Sequence, residues 1–195
     1  LSQRFIKMQL KSPSIFIGKN GRDFISFGSG QPDLPPPEQV FKILPNYRYF
    51  KYGKIQGQDN LRKALASQFK DSDEDNFVIT NGASEALDLV FRSVFKPRDK
   101  VLLHSPYYYS YPPLIETDNL KPEYTETVAG KIDVDDFDKK IRDCKAILIN
   151  SPSNPTGRIQ DVKTLKEIEK ACKDLNKIII SDEVYKDLIY ERSNY

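Results

Sequence analysis

One histidine and two cysteines are all that 195 residues contain of those types. The scarcity removes several chemistries at once. A zinc site needs closely spaced Cys and His ligands, which His104, Cys144 and Cys172 do not supply, so no metal is expected. The two cysteines are far apart in sequence, and each sits in a segment that reads as regular structure, which argues against a disulfide framework. His104 alone makes a poor partner for a Cys–His or Ser–His catalytic pair and reads as a structural residue at a strand end. Neither charge sign dominates: 30 Lys and Arg against 28 Asp and Glu leave +2. That balance gives no case for nucleic acid or an anionic membrane. No apolar run approaches the length of a spanning helix. Leu1-Ser2-Gln3-Arg4-Phe5 lacks the apolar stretch of a signal peptide, and the absence of an initiator Met reads as a trimmed chain. Internal repeats and low-complexity tracts are missing too. The expectation is a reduced, cytoplasmic protein whose hydrophobic residues, 38% of the chain, suffice for a core of ordinary domain size.

The pattern along the chain is mixed and extended to about Phe27. The string Gln31-Pro32-Asp33-Leu34-Pro35-Pro36-Pro37 cannot be helix and should lead stiffly into one near Glu38–Leu44. From Gln58 the spacing predicts a helix with Leu61, Ala64, Leu65 and Phe69 on one face. The acidic run Asp71–Asp75 ends it as a solvated loop. A strand is expected at Phe77–Thr80, broken by Asn81-Gly82. A helix over Ala83–Phe95 should bury Ala86, Leu87, Val90, Phe91 and Val94. Strands then read at Val101–Leu103, Leu120–Thr125, Ala146–Ile149 and Lys177–Ile180, separated by helical stretches at Tyr109–Thr117, Val134–Ile141 and Val162–Leu175. Continuous apolar strands alternating with amphipathic helices predict an α/β fold, a mostly parallel sheet with helices on both faces. Ligands of such sheets sit at the carboxyl ends of the strands, where every unusual segment of this chain falls.

Four such segments carry chemistry. In Thr80-Asn81-Gly82-Ala83-Ser84-Glu85 a strand turns into a helix through glycine, and free N–H groups at a helix start attract an anion. The plain alternative is a turn with Ser84 as a cap. Neither a Walker loop nor G-x-G-x-x-G is present. The run Ser105-Pro106-Tyr107-Tyr108-Tyr109-Ser110-Tyr111 offers rings to stack on a flat ligand, or tyrosines that merely pack a loop. In Asn150-Ser151-Pro152-Ser153-Asn154-Pro155-Thr156-Gly157, two X-Pro steps specify a rigid loop able to hold an Asn amide toward a ligand. Ser181-Asp182-Glu183-Val184-Tyr185 puts Asp182 at a strand end, where a lone Asp is most often a helix cap.

With these segments in this order, the chain resembles the N-terminal half of the fold-type I pyridoxal-phosphate enzymes, the class I/II aminotransferases of the aspartate aminotransferase superfamily. The resemblance runs from Gly28-Ser29-Gly30-Gln31-Pro32-Asp33 through Asp182–Tyr185, and the string Asn150–Gly157 is its most specific part. It implies pyridoxal 5'-phosphate as cofactor, with Ala83 and Ser84 on its phosphate and Tyr108 stacked on its ring. It implies Asn154 and Tyr185 on the phenolic oxygen and Asp182 on the pyridinium nitrogen. Asp182 and Tyr185 would be the catalytic contributions, while Gly30 and Asn154 would meet the substrate carboxylate. Tyr52, in Tyr52-Gly53-Lys54-Ile55-Gln56-Gly57, would reach the cofactor phosphate of a neighbouring subunit, implying a homodimer. Substrates would be an amino acid and a 2-oxo acid. Arg98 and Ser153 depart from the common pattern but touch no implied role. Residues 1–40 would form an arm and small-domain contribution, and 41–195 the N-terminal part of an incomplete large domain.

The lysine that carries the cofactor in that family, its later arginines and its C-terminal small domain have no counterpart here. Lys186 follows Tyr185 in a helical turn and lacks the Ser-rich surroundings of that lysine. The expectation is therefore a piece of an aminotransferase, inactive alone. A related lyase, decarboxylase or synthase shares the same half. A non-catalytic phosphate-binding or interaction domain is the reading of another class.

Overall fold

A computed structural model of the chain describes residues 34–189. The expectations for the first 27 residues, for the start of the proline run and for Gly30 lie outside that range. The chain forms two compact units, Leu1–Ile79 and Thr80–Tyr195.

In the first unit, Pro37 precedes α1 (Glu38–Ile43), and a 3-10 turn over Leu44–Asn46, with Pro45 inside it, closes the helix. The next helix, α2, covers Asp59–Ala66. Its apolar face is not the one the spacing predicts. Leu61 and Phe69 are about half exposed, whereas Arg62 and Ala66 are buried. The cause is polar. The Arg62 guanidinium donates to Asp59 Oδ1 at 2.8 Å and to the Glu74 carbonyl at 2.7 Å, and approaches Asp75 Oδ1 at 3.4 Å. The acidic run is thus more than a solvated loop. A capping box between Asp73 and Asn76 folds it into a 3-10 turn over Glu74–Asn76 that closes on Arg62. The strand expected at Phe77–Thr80 does not form among the described residues. Phe77 is extended (φ −120°, ψ 136°), but the segment joins no ladder; Ile79 N–H donates to the Gln56 carbonyl at 2.9 Å. Extended backbone becomes a strand only beside a partner, and partners are what local sequence does not specify.

The second unit runs through α3 (Ala83–Val94), β1 (Lys100–His104), α4 (Tyr111–Thr117), β2 (Lys121–Thr125), β3 (Thr127–Val128), β4 (Lys131–Ile132), α5 (Val134–Lys140), β5 (Ala146–Asn150), α6 (Val162–Asp174) and β6 (Ile178–Asp182). Four strands form a wholly parallel sheet in the order β2-β1-β5-β6. Side chains alternate across it. Leu102, Ile147 and Ile149 pack with Phe137 and Ile141 of the α5 region and Ile168 and Cys172 of α6. Val101, Leu103 and Leu148 pack on the other face with Leu87 and Phe91 of α3 and Tyr111 and Ile115 of α4. Burial on both faces explains why these strands read as continuous apolar runs. Val94, expected inside, is exposed at the last turn of α3.

The β3–β4 hairpin is unannounced by the sequence pattern, since two-residue strands show no period. Ala129 and Gly130, both at positive φ, make its turn. The buried Gln160 side chain pins it, accepting from Ile132 N–H at 2.9 Å and donating to the Gly130 carbonyl at 3.0 Å. Cys144 and Cys172 are free and buried in one core cluster, and burial pushes both thiols up to about 11, which makes them inert. Among the described residues no helix is long and apolar enough to cross a membrane.

The chain leaves β1 toward β2 on one side, then returns to place β5 and β6 on the other. The crevice beyond the carboxyl ends of β1 and β5 is therefore the switch point of the sheet, where open α/β folds hold ligands.

Candidate active site

The strand ends and the start of α3 surround a cavity of about 210 Å³. Ala83, Ser84, Tyr108, Asn154, Asp182 and Tyr185, drawn from four separate segments, all line it. No described lysine or arginine does; Lys186, which follows Tyr185, opens a 3-10 turn over Lys186–Leu188.

At the entry to α3, Gly82 holds φ +81°, a region that favours glycine. No side chain caps the helix, so Ser84 is not the capping residue of an ordinary turn. The first N–H groups of α3 have no partner within the helix and sit at the positive end of its dipole, a setting for an anion. Behind the turn, the Glu85 carboxylate accepts from the backbone N–H of Asn81 and from its Nδ2, the latter at 3.0 Å, while the Thr80 hydroxyl donates to the Gly82 carbonyl at 3.0 Å.

The tyrosines after β1 divide their work. Tyr107 stacks on Tyr124 of β2, with centroids 5.0 Å apart and planes 24° apart, so loop packing accounts for it. Tyr108 meets Tyr109 and Tyr111 edge-on and keeps a place in the cavity wall.

Asp182 ends β6, at 9% exposure. Its Oδ1 accepts the Val184 N–H at 3.2 Å, the turn-capping bond a lone Asp commonly makes. Its Oδ2 accepts the hydroxyl of Tyr111 at 2.6 Å. Tyr111 is the first residue of α4 and almost wholly buried. Burial, reinforced by the adjacent carboxylate, pushes its phenol far above the ordinary range, so it remains a donor. Sequence reading placed Tyr111 in an aromatic run and gave it no role, because nothing local connects positions 111 and 182. Hydrogen bonds to a charged group contribute about 1.5–3 kcal/mol. Tyr111→Phe should lower stability by about that amount, and the loss should shrink to under about 1 kcal/mol in an Asp182→Ala background. Denaturant titration of the four proteins measures this coupling; equal losses in both backgrounds would mean that the bond contributes nothing.

The loop after β5 is bonded along its length. Asn150 Oδ1 accepts the Asn154 N–H at 2.7 Å, and its Nδ2 donates to the Asp182 carbonyl at 3.1 Å. Gly157 N–H donates to the Ser153 carbonyl at 2.7 Å, and Gln160 N–H to Ser151 Oγ at 3.1 Å. The Asn154 side chain emerges from this frame and donates to the Tyr185 hydroxyl at 3.3 Å. Asn150, not singled out in the sequence, is thus the joint between the Asn154 loop and the end of β6.

Tyr52 belongs to the first unit. It is fully exposed and lines a separate cleft of about 540 Å³ with Tyr47, Tyr49, Lys54 and Asp59. Gly30 lies outside the described residues.

This arrangement has close parallels among known proteins. A probable aspartate aminotransferase of Methanocaldococcus jannaschii is 34% identical over 89% of the chain and 49% of that protein. The structure of the Thermus thermophilus aspartate aminotransferase with maleate matches with a TM-score of 0.86 at 26% identity, over 100% of this chain and 56% of that one. The Pyrococcus furiosus alanine aminotransferase matches with a TM-score of 0.82 at 32% identity, over 98% of this chain and 54% of that one. The chain spans about half the length of these relatives. The model of the family described as aminotransferase class I and II matches residues 22–195. That span takes in all four segments around the cavity, and the chain belongs to the class I and II aminotransferase family.

Proposed function

We propose that the chain supplies the N-terminal part of the cofactor domain of a cytoplasmic, pyridoxal-phosphate-dependent aminotransferase, which moves an amino group between an amino acid and a 2-oxo acid. The observation that carries this reading is the buried Asp182 carboxylate, held by Tyr111 in the wall of the same cavity that the uncapped start of α3 opens onto. A phosphorylated, nitrogen-containing flat ring needs an anion site, an aromatic face, neutral donors and a carboxylate. The donor set lining the cavity offers all four and fits the group.

Bound there, pyridoxal 5'-phosphate would supply a protonated ring able to take up carbanion charge. The chain's own residues have simpler tasks. The N–H groups of Ala83 and Ser84, with the Ser84 hydroxyl, hold the phosphate. Tyr108 covers one ring face. Asn154 and Tyr185 donate to the phenolic oxygen, since the Asn amide keeps a second N–H and the Tyr185 hydroxyl its own proton. Asp182 keeps a proton on the ring nitrogen, and Tyr111 keeps Asp182 oriented. Gly30 and Asn154 receive the substrate carboxylate. Residues 1–40 serve as an arm and a contribution to the small domain. A homodimer belongs to the same reading, and the full exposure of Tyr52 supports it, because a side chain that reaches a second copy must be free before assembly.

The full chain should bind pyridoxal 5'-phosphate saturably and non-covalently, and inorganic phosphate should compete. Equilibrium dialysis measures both. Binding indifferent to phosphate would remove the anion-site assignment, and absence of binding would remove the cofactor reading for this chain.

A further inference from the structure

His104 is the only histidine in the chain, and nothing assigned above uses it. It ends β1, level with Thr125 of β2, and is 3% exposed. Its Nε2 lies 3.2 Å from the backbone nitrogen of Asn150 and accepts that N–H; its other hydrogen bond goes to the backbone of Pro106. An acceptor nitrogen must carry a lone pair, so the imidazole is neutral, with its proton on Nδ1. Asn150 is itself 1% exposed and spends its amide on two site elements, the Asn154 N–H and the Asp182 carbonyl. One ring nitrogen therefore fixes the residue that joins the ends of β5 and β6.

We propose that His104 is a positioning residue: its neutral imidazole pins Asn150, Asn150 sets Asn154 and Asp182, and protonation of the ring releases them. A protonated ring would turn a second donor toward the Asn150 N–H, leaving two donors face to face in a buried position. The consequence for cofactor binding rests on the reading of Asn154 and Asp182 given above; the brace itself does not.

The charged groups on the surrounding elements are otherwise engaged. From the β2 side, Asp136 of α5 accepts the Thr125 hydroxyl at 3.0 Å and pairs with Lys140 at 2.9 Å. Asp182 on β6 is bonded to Tyr111. On β1 itself, Lys100 at the opposite end pairs with Glu123 of β2. The imidazole's own hydrogen bonds are to backbone, and burial lowers its pKa below the usual 6.5. The brace is intact at neutral pH. As pH falls below 6.5 the unfolded chain takes up a proton that the folded ring resists, so stability is lost progressively on acidification.

The test uses the full chain and nuclear magnetic resonance between pH 7.5 and 5. The backbone amide signals of Asn150 and Asn154 should move with the His104 ring titration. His104→Gln offers a neutral acceptor that does not titrate, so both amides should lose that pH dependence while keeping near-native positions. His104→Leu removes the acceptor and should displace both at every pH. With pyridoxal 5'-phosphate as probe at pH 7.5, His104→Leu should weaken binding by about 2- to 10-fold, the worth of one neutral hydrogen bond, and His104→Gln should restore it. Should the Leu variant fail to fold, the Gln titration decides alone. Asn150 and Asn154 amides that ignore both the ring titration and the Gln substitution would overturn the proposal. If the amides respond as expected while cofactor affinity is unchanged by Asp182→Ala, the brace stands and the cofactor reading falls.

Discussion

Replacing Asp182 by Ala should weaken binding of pyridoxal 5'-phosphate by roughly 10²- to 4 × 10³-fold, the 3–5 kcal/mol typical of removing one partner from a buried charged pair. Two features make the effect large. The carboxylate is nearly sealed from water, so no solvent replaces it. Tyr111 already commits one oxygen, so the direction of the remaining lone pairs is set before any ligand arrives. The secondary structure should survive, because Asp182 is the last residue of β6 and, among the described residues, its side chain bonds only Tyr111 and the Val184 N–H. Circular dichroism separates loss of site from loss of fold. In a complete enzyme containing this segment, turnover should fall at least as far. Retention of near-normal affinity with an intact fold would refute the role given to Asp182.

Phe137→Ala should be the most damaging single change to the fold, lowering stability by about 3–5 kcal/mol. Phe137 is fully buried and packs with Leu102, Ile147 and Ile168 on one face of the sheet. Truncation leaves a cavity between α5, α6 and the two central strands, and the strands cannot move in to fill it without breaking ladder bonds. Domains of this size are commonly stable by only about 5–15 kcal/mol, so a large part of the margin would go. Urea unfolding of the variant measures the loss, with Tyr109→Ala, at a 44% exposed position, as a comparison expected to cost far less. A Phe137→Ala midpoint equal to the unmodified chain would show that this face is not the core.

The centre of the sheet was legible in the sequence because its two middle strands, β1 and β5, are buried on both sides. Val101–Leu103 and Ala146–Ile149 are uninterrupted apolar runs, and such runs are what a two-sided burial requires. The cavity lining was legible for a different reason. Gly82 at positive φ, Asn154 in its proline-stiffened loop and the strand-end carboxylate of Asp182 leave local marks, and all three residues line the cavity. What escaped is pairwise. Helix α2 presents Arg62 inward because Asp59 and the Glu74 carbonyl wait for it, and hydrophobic spacing carries no trace of that. The segment after Asn76 has the composition of a strand but no ladder among the described residues. Tyr111 reaches Asp182 across 71 residues, and His104 reaches Asn150 across 46. Such partners follow from strand order, and strand order is a property of the whole sheet.

The most direct test compares pyridoxal 5'-phosphate with an analogue whose ring nitrogen is replaced by carbon, on the unmodified chain and on Asp182→Ala. A pairing between Asp182 and the ring nitrogen predicts that the unmodified chain prefers the natural cofactor strongly and that the variant binds both about equally. The same preference in both proteins would mean that Asp182 does not meet the ring nitrogen, and the proposed site would be contradicted at its centre.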